Sequence, residues 1–271
     1  MENKVRITPI LTGHFSLPRG AFFGVAESVV TRHKLRDHFE IDDHDRVVLT
    51  ARGLLVRTPD GIFIVEPGLG SKPNIYADKY CDTKRRQWGS ICRGAGFKLK
   101  DVSGVLTTHF HWDHAGGNMK VVGEKLLPTF PNATYFIHRL ELQHATNKDG
   151  QRLTQSYDPQ DIPPSDRIKI IEPIMTEVAP RVWMEHTGGH SPGHCVIHIE
   201  GDDQHHVFMG DIAPTYAHLT SRGGYEMAFD DDARMVLVRK RSLIRRAKEE
   251  NWRLWLVHDP KILYVDGKDL E

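Results

Sequence analysis

The stretch THFHWDHAGG places His109, His111, Asp113 and His114 within six residues. Imidazole and carboxylate are the ordinary ligands of divalent transition metals, so such a cluster points toward a metal site. In an extended segment residues two apart point the same way, which lets His109 and His111 face one ion. Asp113 and His114 come where the chain must turn into AGGN, and can be aimed at a neighbouring point. A helical HExxH motif spaces its histidines four apart, so this is a different kind of site. The chain carries 17 histidines, and a polar histidine-rich loop is the competing reading of this stretch alone.

Three further stretches weigh against that loop. HTGGHSPGH sets His190 at the apex of a glycine-rich turn, MGDIAP sets Asp211 just past an apolar run, and LWLVHDP does the same for His258. Alone, His258 reads as a surface histidine and Asp211 as a helix cap. Together they put polar groups at the carboxyl ends of buried-looking strands, where sites of α/β folds collect.

The elements that must position these groups are mostly strands. VRITPIL opens the chain, and GLLVRTPDGIFIVEPGLG reads as a hairpin around Pro59-Asp60-Gly61. EIDDHDR between them reads as a solvated acidic connection. Asp82 to Gly96 reads as a helix, followed by a strand from Val102 to Thr108 that delivers the histidine cluster. ATYFIH, RIKII, RVWMEHT, CVIHIEG, HHVFMGD, RLWLVHD and ILYVDG are further strands. The polar stretch Thr146 to Asp166 reads as a long surface loop or an excursion over one face. After Asp230-Asp231-Asp232 a long helix is expected, its apolar stripe either Leu237, Ile244 and Ala247 or Val236, Leu243 and Ala247. The basic run Arg239, Lys240, Arg241, Arg245, Arg246 reads as its exposed face. No internal repeat or linker divides the chain, so residues 1–271 are expected to form one α/β domain, with two sheets covered by helices.

Composition limits the function classes. Lys plus Arg and Asp plus Glu are 36 each in 271 residues, and this neutral balance supplies no field for nucleic acid or an anionic membrane. Cys81, Cys92 and Cys195 lie far apart without CxxC spacing, giving neither a disulfide framework nor a thiolate zinc motif. No signal-peptide core or membrane-length apolar run is visible, and a cytoplasmic location is the default expectation. There is no GxSxG elbow, and no cysteine sits in an activating motif.

HFHWDH, GGHSPGH, GD and the late HD, in that order, resemble the metal motifs of the metallo-β-lactamase superfamily. The resemblance runs from VRITPILTG to His258. GDIAPTYAHL, with PNATYFIHRLEL before it, looks most like the branch holding N-acyl homoserine lactonases and methyl parathion hydrolase. It implies an αββα four-layer sandwich with a dinuclear centre, usually two Zn²⁺, other divalent transition metals being admissible. His109, His111 and His190 would hold the first metal, Asp113, His114 and His258 the second, and Asp211 would bridge them. A hydroxide held between the metals would attack an ester-like bond of a small molecule, a lactone first, with Asp113 moving the proton.

Two departures from the family pattern stand out. Glu66 occupies the place where the family usually has an aspartate supporting the site. Pro214 occupies the place of the lactonase tyrosine, leaving Tyr216 and His218 as the expected oxyanion donors. His194 reads equally as a hydrogen-bonding neighbour of the site or as part of the turn. Phe22 and Phe23 read as packing, or as an apolar lip. Phosphoester or organophosphate hydrolysis is the alternative on the same metals. An iron-dependent redox enzyme and a silent metal-binding scaffold are the other classes. The expected partner is a small-molecule substrate, with no nucleic acid or membrane, and a homodimer is left open.

Overall fold

The computed structural model describes residues 4–24, 35–147, 151, 154–172, 174–219 and 224–270. Two sheets face each other. The first has seven strands: β1 (Arg6–Pro18), β2 (Arg46–Thr58), β3 (Gly61–Val65), β4 (Lys84–Arg85), β5 (Val102–Leu106), β8 (Thr134–His138) and β9 (Ile168–Ile171), in the order β4-β1-β2-β3-β5-β8-β9. A separate ribbon pairs β6 (Met119–Val122) with β7 (Lys125–Pro128). The second sheet runs in sequence order through β10 (Met175–Ala179), β11 (Val182–His186), β12 (Cys195–Glu200), β13 (His205–Phe208), β14 (Arg253–Trp255) and β15 (Tyr264–Asp266).

The layering follows from side chains that alternate across each strand. Val65, Leu106, Ile197, Phe208 and Trp255 pack together between the sheets. Their sequence neighbours turn the other way. Ile64 and Val105 meet Trp88, Ile91 and Cys92 of the helix Trp88–Ala95, while Val196, Val207 and Leu254 meet Val236, Leu243, Ile244 and Ala247 of the helix Ala233–Glu250. Strands buried on both faces read as continuous apolar runs rather than alternating ones. The result is the expected αββα sandwich.

Strand direction collects the polar residues at one edge. β3, β5 and β8 are parallel neighbours, as are β13 and β14. The carboxyl ends of β3 and β5 lead into Glu66 and the histidine cluster, and those of β13 and β14 lead to Asp211 and His258. The loop between β11 and β12 carries His190.

Several local expectations change. The helix expected over Asp82 to Gly96 covers only Trp88–Ala95, because Lys84–Arg85 pairs with β1, and a second helix, Ile75–Tyr80, precedes it. Asp232 caps the long helix by accepting from Met235 N. Its buried stripe is Val236, Lys240, Leu243, Ile244 and Ala247, so Lys240 does not belong to an exposed basic face. The Lys240 ammonium donates to Tyr225 O at 2.7 Å. The described part of the Thr146–Asp166 stretch does cross a face, as three short 3₁₀ turns; residues 148–150, 152 and 153 lie outside the described residues. Among the described residues no helix is long and apolar enough to cross a membrane.

Candidate metal centre

Beyond β5 the chain stays extended, then turns through the single helical turn Trp112–Ala115. His109 Nε2 and His111 Nδ1 consequently lie 3.0 Å apart, and the turn brings Asp113 and His114 to a point beside them. The turn sits against the loop after β3. Gly117 approaches that loop so closely that a Cβ there would lie 2.2 Å from Pro67 O, which explains a glycine at this position.

Two groups of potential ligand atoms result, each with all members within 4.8 Å of one another: His109, His111, His190 and Asp211, and Asp113, His114 and His258. Asp211 stands between them with its oxygens divided. Oδ2 lies 3.3 Å from His190 Nε2, and Oδ1 lies 3.3 Å from His114 Nε2 and 3.2 Å from His258 Nε2. Asp113 Oδ2 is 3.3 Å from His258 Nε2.

The outer nitrogens of these rings are committed elsewhere. His190 Nδ1 donates to Asp230 Oδ1 at 2.7 Å, His114 Nδ1 to Glu66 Oε2 at 2.8 Å, and His258 Nδ1 to Thr50 O at 2.8 Å. His109 Nδ1 lies 3.0 Å from Thr108 Oγ1. Acceptors on the far side turn the Nε2 atoms of His190, His114 and His258 inward. Ring nitrogens meet there at close range: His190 Nε2 is 3.0 Å from His111 Nδ1, and His258 Nε2 is 3.1 Å from His114 Nε2. The buried Asp211 Oδ1 has no hydrogen-bond donor. Ring nitrogens crowded around a buried carboxylate oxygen without a hydrogen-bond donor are costly alone, and cations that take the ring lone pairs in place of protons relieve the cost. The donor set fits a pair of metal ions.

Protonation tendencies agree with that fit. Burial and the neighbouring imidazoles push His109 and His111 well below the ordinary histidine range, so both are neutral. Burial opposes ionisation of Asp211 and Asp113, yet the surrounding imidazoles hold both well below the carboxylate range. The same carboxylates outweigh burial at His258 and raise it to about 9. A metal arriving there displaces a proton.

The supporting residues are only partly those expected. Glu66 is fully buried, contacts His114, and accepts from Thr108 N at 2.5 Å through its other oxygen. Its φ of 61° lies in the left-handed region that glycine favours, a strained setting for a residue holding two parts of a site. His194 is a neighbour rather than a ligand: pushed well below its ordinary range by burial and His190, it accepts from Asp211 N at 3.1 Å. Asp230 and Thr50 were not anticipated. Asp230 is hidden in an acidic run that reads as a helix start, and Thr50 acts through its backbone carbonyl, which leaves no sequence signal.

A cavity opens onto the cluster. His111, Asp113, His190, Asp211 and His258 form one wall, and Leu17, Phe22, Tyr76, Trp112, Met227 and Phe229 an apolar one, with Gln155 and Ser156 from the crossing segment. No Lys or Arg is among these described lining residues. The structure does not bring Tyr216 and His218 here, which corrects the expectation that they face the substrate. His218 is buried with Nδ1 at 2.7 Å from Thr215 Oγ1 and Nε2 at 3.2 Å from Phe22 O, and its ring stacks on Phe23. Tyr216 packs against the core cluster under the long helix. Pro214 contributes its carbonyl, which accepts from His258 N at 2.9 Å.

This fold and site define a class. Residues 53–252 match the family model of the metallo-β-lactamase superfamily, and the chain belongs to that superfamily. It is 29% identical over 157 residues, 54% of this chain and 56% of the other, to an N-acyl homoserine lactonase of Bacillus cereus. The chain spans about half the length of the curated relatives it matches. Among solved structures, a probable metal-dependent hydrolase from Staphylococcus aureus superposes with a TM-score of 0.87 at 23% identity, over 100% of this chain and 97% of that one. A Bacillus thuringiensis AiiA mutant with N-decanoyl-L-homoserine bound at its active site gives a TM-score of 0.71 at 21% identity, covering 96% and 95%. At those identities the likeness to solved structures concerns the fold.

Proposed function

We propose that this chain is a dinuclear zinc hydrolase that opens a small, uncharged lactone. The observation carrying this reading is Asp211, whose two oxygens are divided between two ligand groups, on a cavity with no lysine or arginine among its described lining residues. His109, His111 and His190 would hold one ion, Asp113, His114 and His258 the other, and Asp211 would contribute to both. When bound, such a pair supplies Lewis acidity and a water of lowered pKa.

The chain's own residues supply the rest. The apolar wall of Leu17, Phe22, Met227 and Phe229 takes a hydrocarbon substituent and keeps water from it. Asp113, anionic and on the cavity wall, carries a proton from water to the leaving ring oxygen through its carboxylate. Tyr76 lines the cavity, and its hydroxyl is assigned the carbonyl-orienting role that Pro214 cannot fill. A lactone keeps its leaving group tethered, so that group needs only a proton. The similarity to N-acyl homoserine lactonases supports the choice of substrate class. A lining without lysine or arginine among its described residues also accepts a neutral phosphotriester, the second reading, but gives a phosphodiester anion no such side chain to pair with.

Elemental analysis of protein prepared without chelator should approach two zinc ions per chain, and lactones should be hydrolysed faster than phosphotriesters or phosphodiesters. Asp211→Asn should lose most turnover and weaken both ions, and Tyr76→Phe should lower kcat more than it raises KM. Phosphotriester cleavage without lactone opening would replace the substrate class. Iron at one equivalent, not exchangeable for zinc, would replace the chemistry.

A further inference from the structure

Glu141, the third residue of the helix Arg139–Thr146, is a buried carboxylate that the proposed chemistry does not use. Burying a carboxylate costs several kcal/mol unless donors compensate it. Here they come from three separate segments. Oε1 accepts from Phe110 N at 2.8 Å, the peptide between His109 and His111. Oε2 accepts from Ser191 Oγ at 2.6 Å and Gly193 N at 3.1 Å, immediately after His190. The Tyr157 hydroxyl reaches Oε1 at 3.5 Å, and Tyr157 in turn forms a backbone bridge with His111 and sets its ring edge-on to that imidazole. The approach is tight: a Cβ on Gly193 would lie 2.1 Å from Glu141 N.

His109 and His111 belong to the end of a strand in the first sheet, and His190 to a loop of the second. We propose that Glu141 is the positioning residue that fixes the spacing of these three imidazoles across the gap between the sheets, and so sets affinity at one metal position. This rests on the two-metal reading above. The other position is held differently, through Glu66 on His114 and Thr50 O on His258. The role asks for a carboxylate. The backbone amides of Phe110 and Gly193 can only donate, and they approach opposite oxygens; a glutamine offers one acceptor and must turn its NH₂ toward one of them.

The experiment is a zinc titration of chelator-stripped protein against a competing chromophoric chelator, with zinc content measured in parallel. Glu141→Gln should weaken one of the two zinc ions by at least about tenfold and leave the other near its wild-type affinity. Adding His258→Ala to that variant should remove the retained ion, and adding His190→Ala should not. Ser191→Ala, which deletes one donor with little change in volume, should shift the same ion by a smaller factor and serves if Glu141→Gln does not fold. Glu185→Gln, on the far side of the second sheet with His198 and Arg246, should change neither. Two unaltered zinc affinities in Glu141→Gln, or equal loss of both, would overturn the proposal, as would an unshifted Ser191→Ala. Fewer than two zinc ions in the wild-type protein would overturn the two-metal reading itself, and the inference with it.

Discussion

Asp230→Asn tests how far a metal site depends on groups that never touch the metal. Asp230 accepts on separate oxygens from His190 Nδ1 at 2.7 Å and from Met227 N at 2.8 Å. Asparagine has nearly the same shape but one acceptor oxygen. If its NH₂ faces His190, the ring must move its proton to Nε2 and loses the inward lone pair. If it faces Met227, a buried backbone N–H is left without an acceptor, at about 1–3 kcal/mol, and the segment carrying Met227 and Phe229 into the cavity shifts. Removing such an outer partner generally costs about 10–100-fold in metal affinity, or about 1.4–2.7 kcal/mol. Competitive zinc titration should show that loss for the ion held by His190, with the ion held by His258 within about twofold of wild type. Wild-type affinity for both ions would show that Asp230 does not set the tautomer of His190, and the assignment of Nε2 as the ligating atom would fall.

Glu66→Ala removes the partner of His114 and strands Thr108 N, so the chelated protein should lose about 1–3 kcal/mol in denaturant unfolding, and zinc at the His114 position should weaken; unchanged values in both measurements would refute the role. Asp161 gives a pH test on a group outside the ligand set. Burial pushes its carboxyl from 3.8 to about 7, with Lys72 only partly offsetting this. A carboxyl raised in the folded state binds a proton there that the unfolded chain has already lost, so its contribution to stability falls as pH rises between about 4 and about 7. Asp161→Asn should therefore gain melting temperature relative to wild type as pH increases through that window, and a constant difference between the two proteins would contradict the burial argument.

The histidine–aspartate cluster was legible because its geometry is local. Residues two apart in an extended segment face one way whatever surrounds them, so HFHWDH announces His109 and His111 facing a common point without any knowledge of the second sheet. The same rule made the strands readable: Ile64 and Val65, or Val207 and Phe208, face opposite layers because neighbouring side chains alternate. Pro59-Asp60-Gly61 and the acidic start of the long helix were equally local. Asp82 to Gly96 was misread because the pairing of Lys84–Arg85 with β1 is a long-range event that no periodicity records. Lys240 reads as one more exposed cation, and only the packing of the chain at Tyr225 and Glu226 against the helix gives its ammonium acceptors. Tyr216 and His218 follow Asp211 closely in sequence, but the turn after Pro214 sends them into packing against Phe22, Phe23 and the long helix, while Tyr76, remote in sequence, arrives at the cavity. The partners that orient the ligands are the most distant of all, with Thr50 and His258 separated by 208 positions. A residue's type and spacing determine which atoms it can offer and which face it presents; which donor or acceptor waits opposite depends on how two sheets register across a shared core, and that is decided only when the whole chain packs.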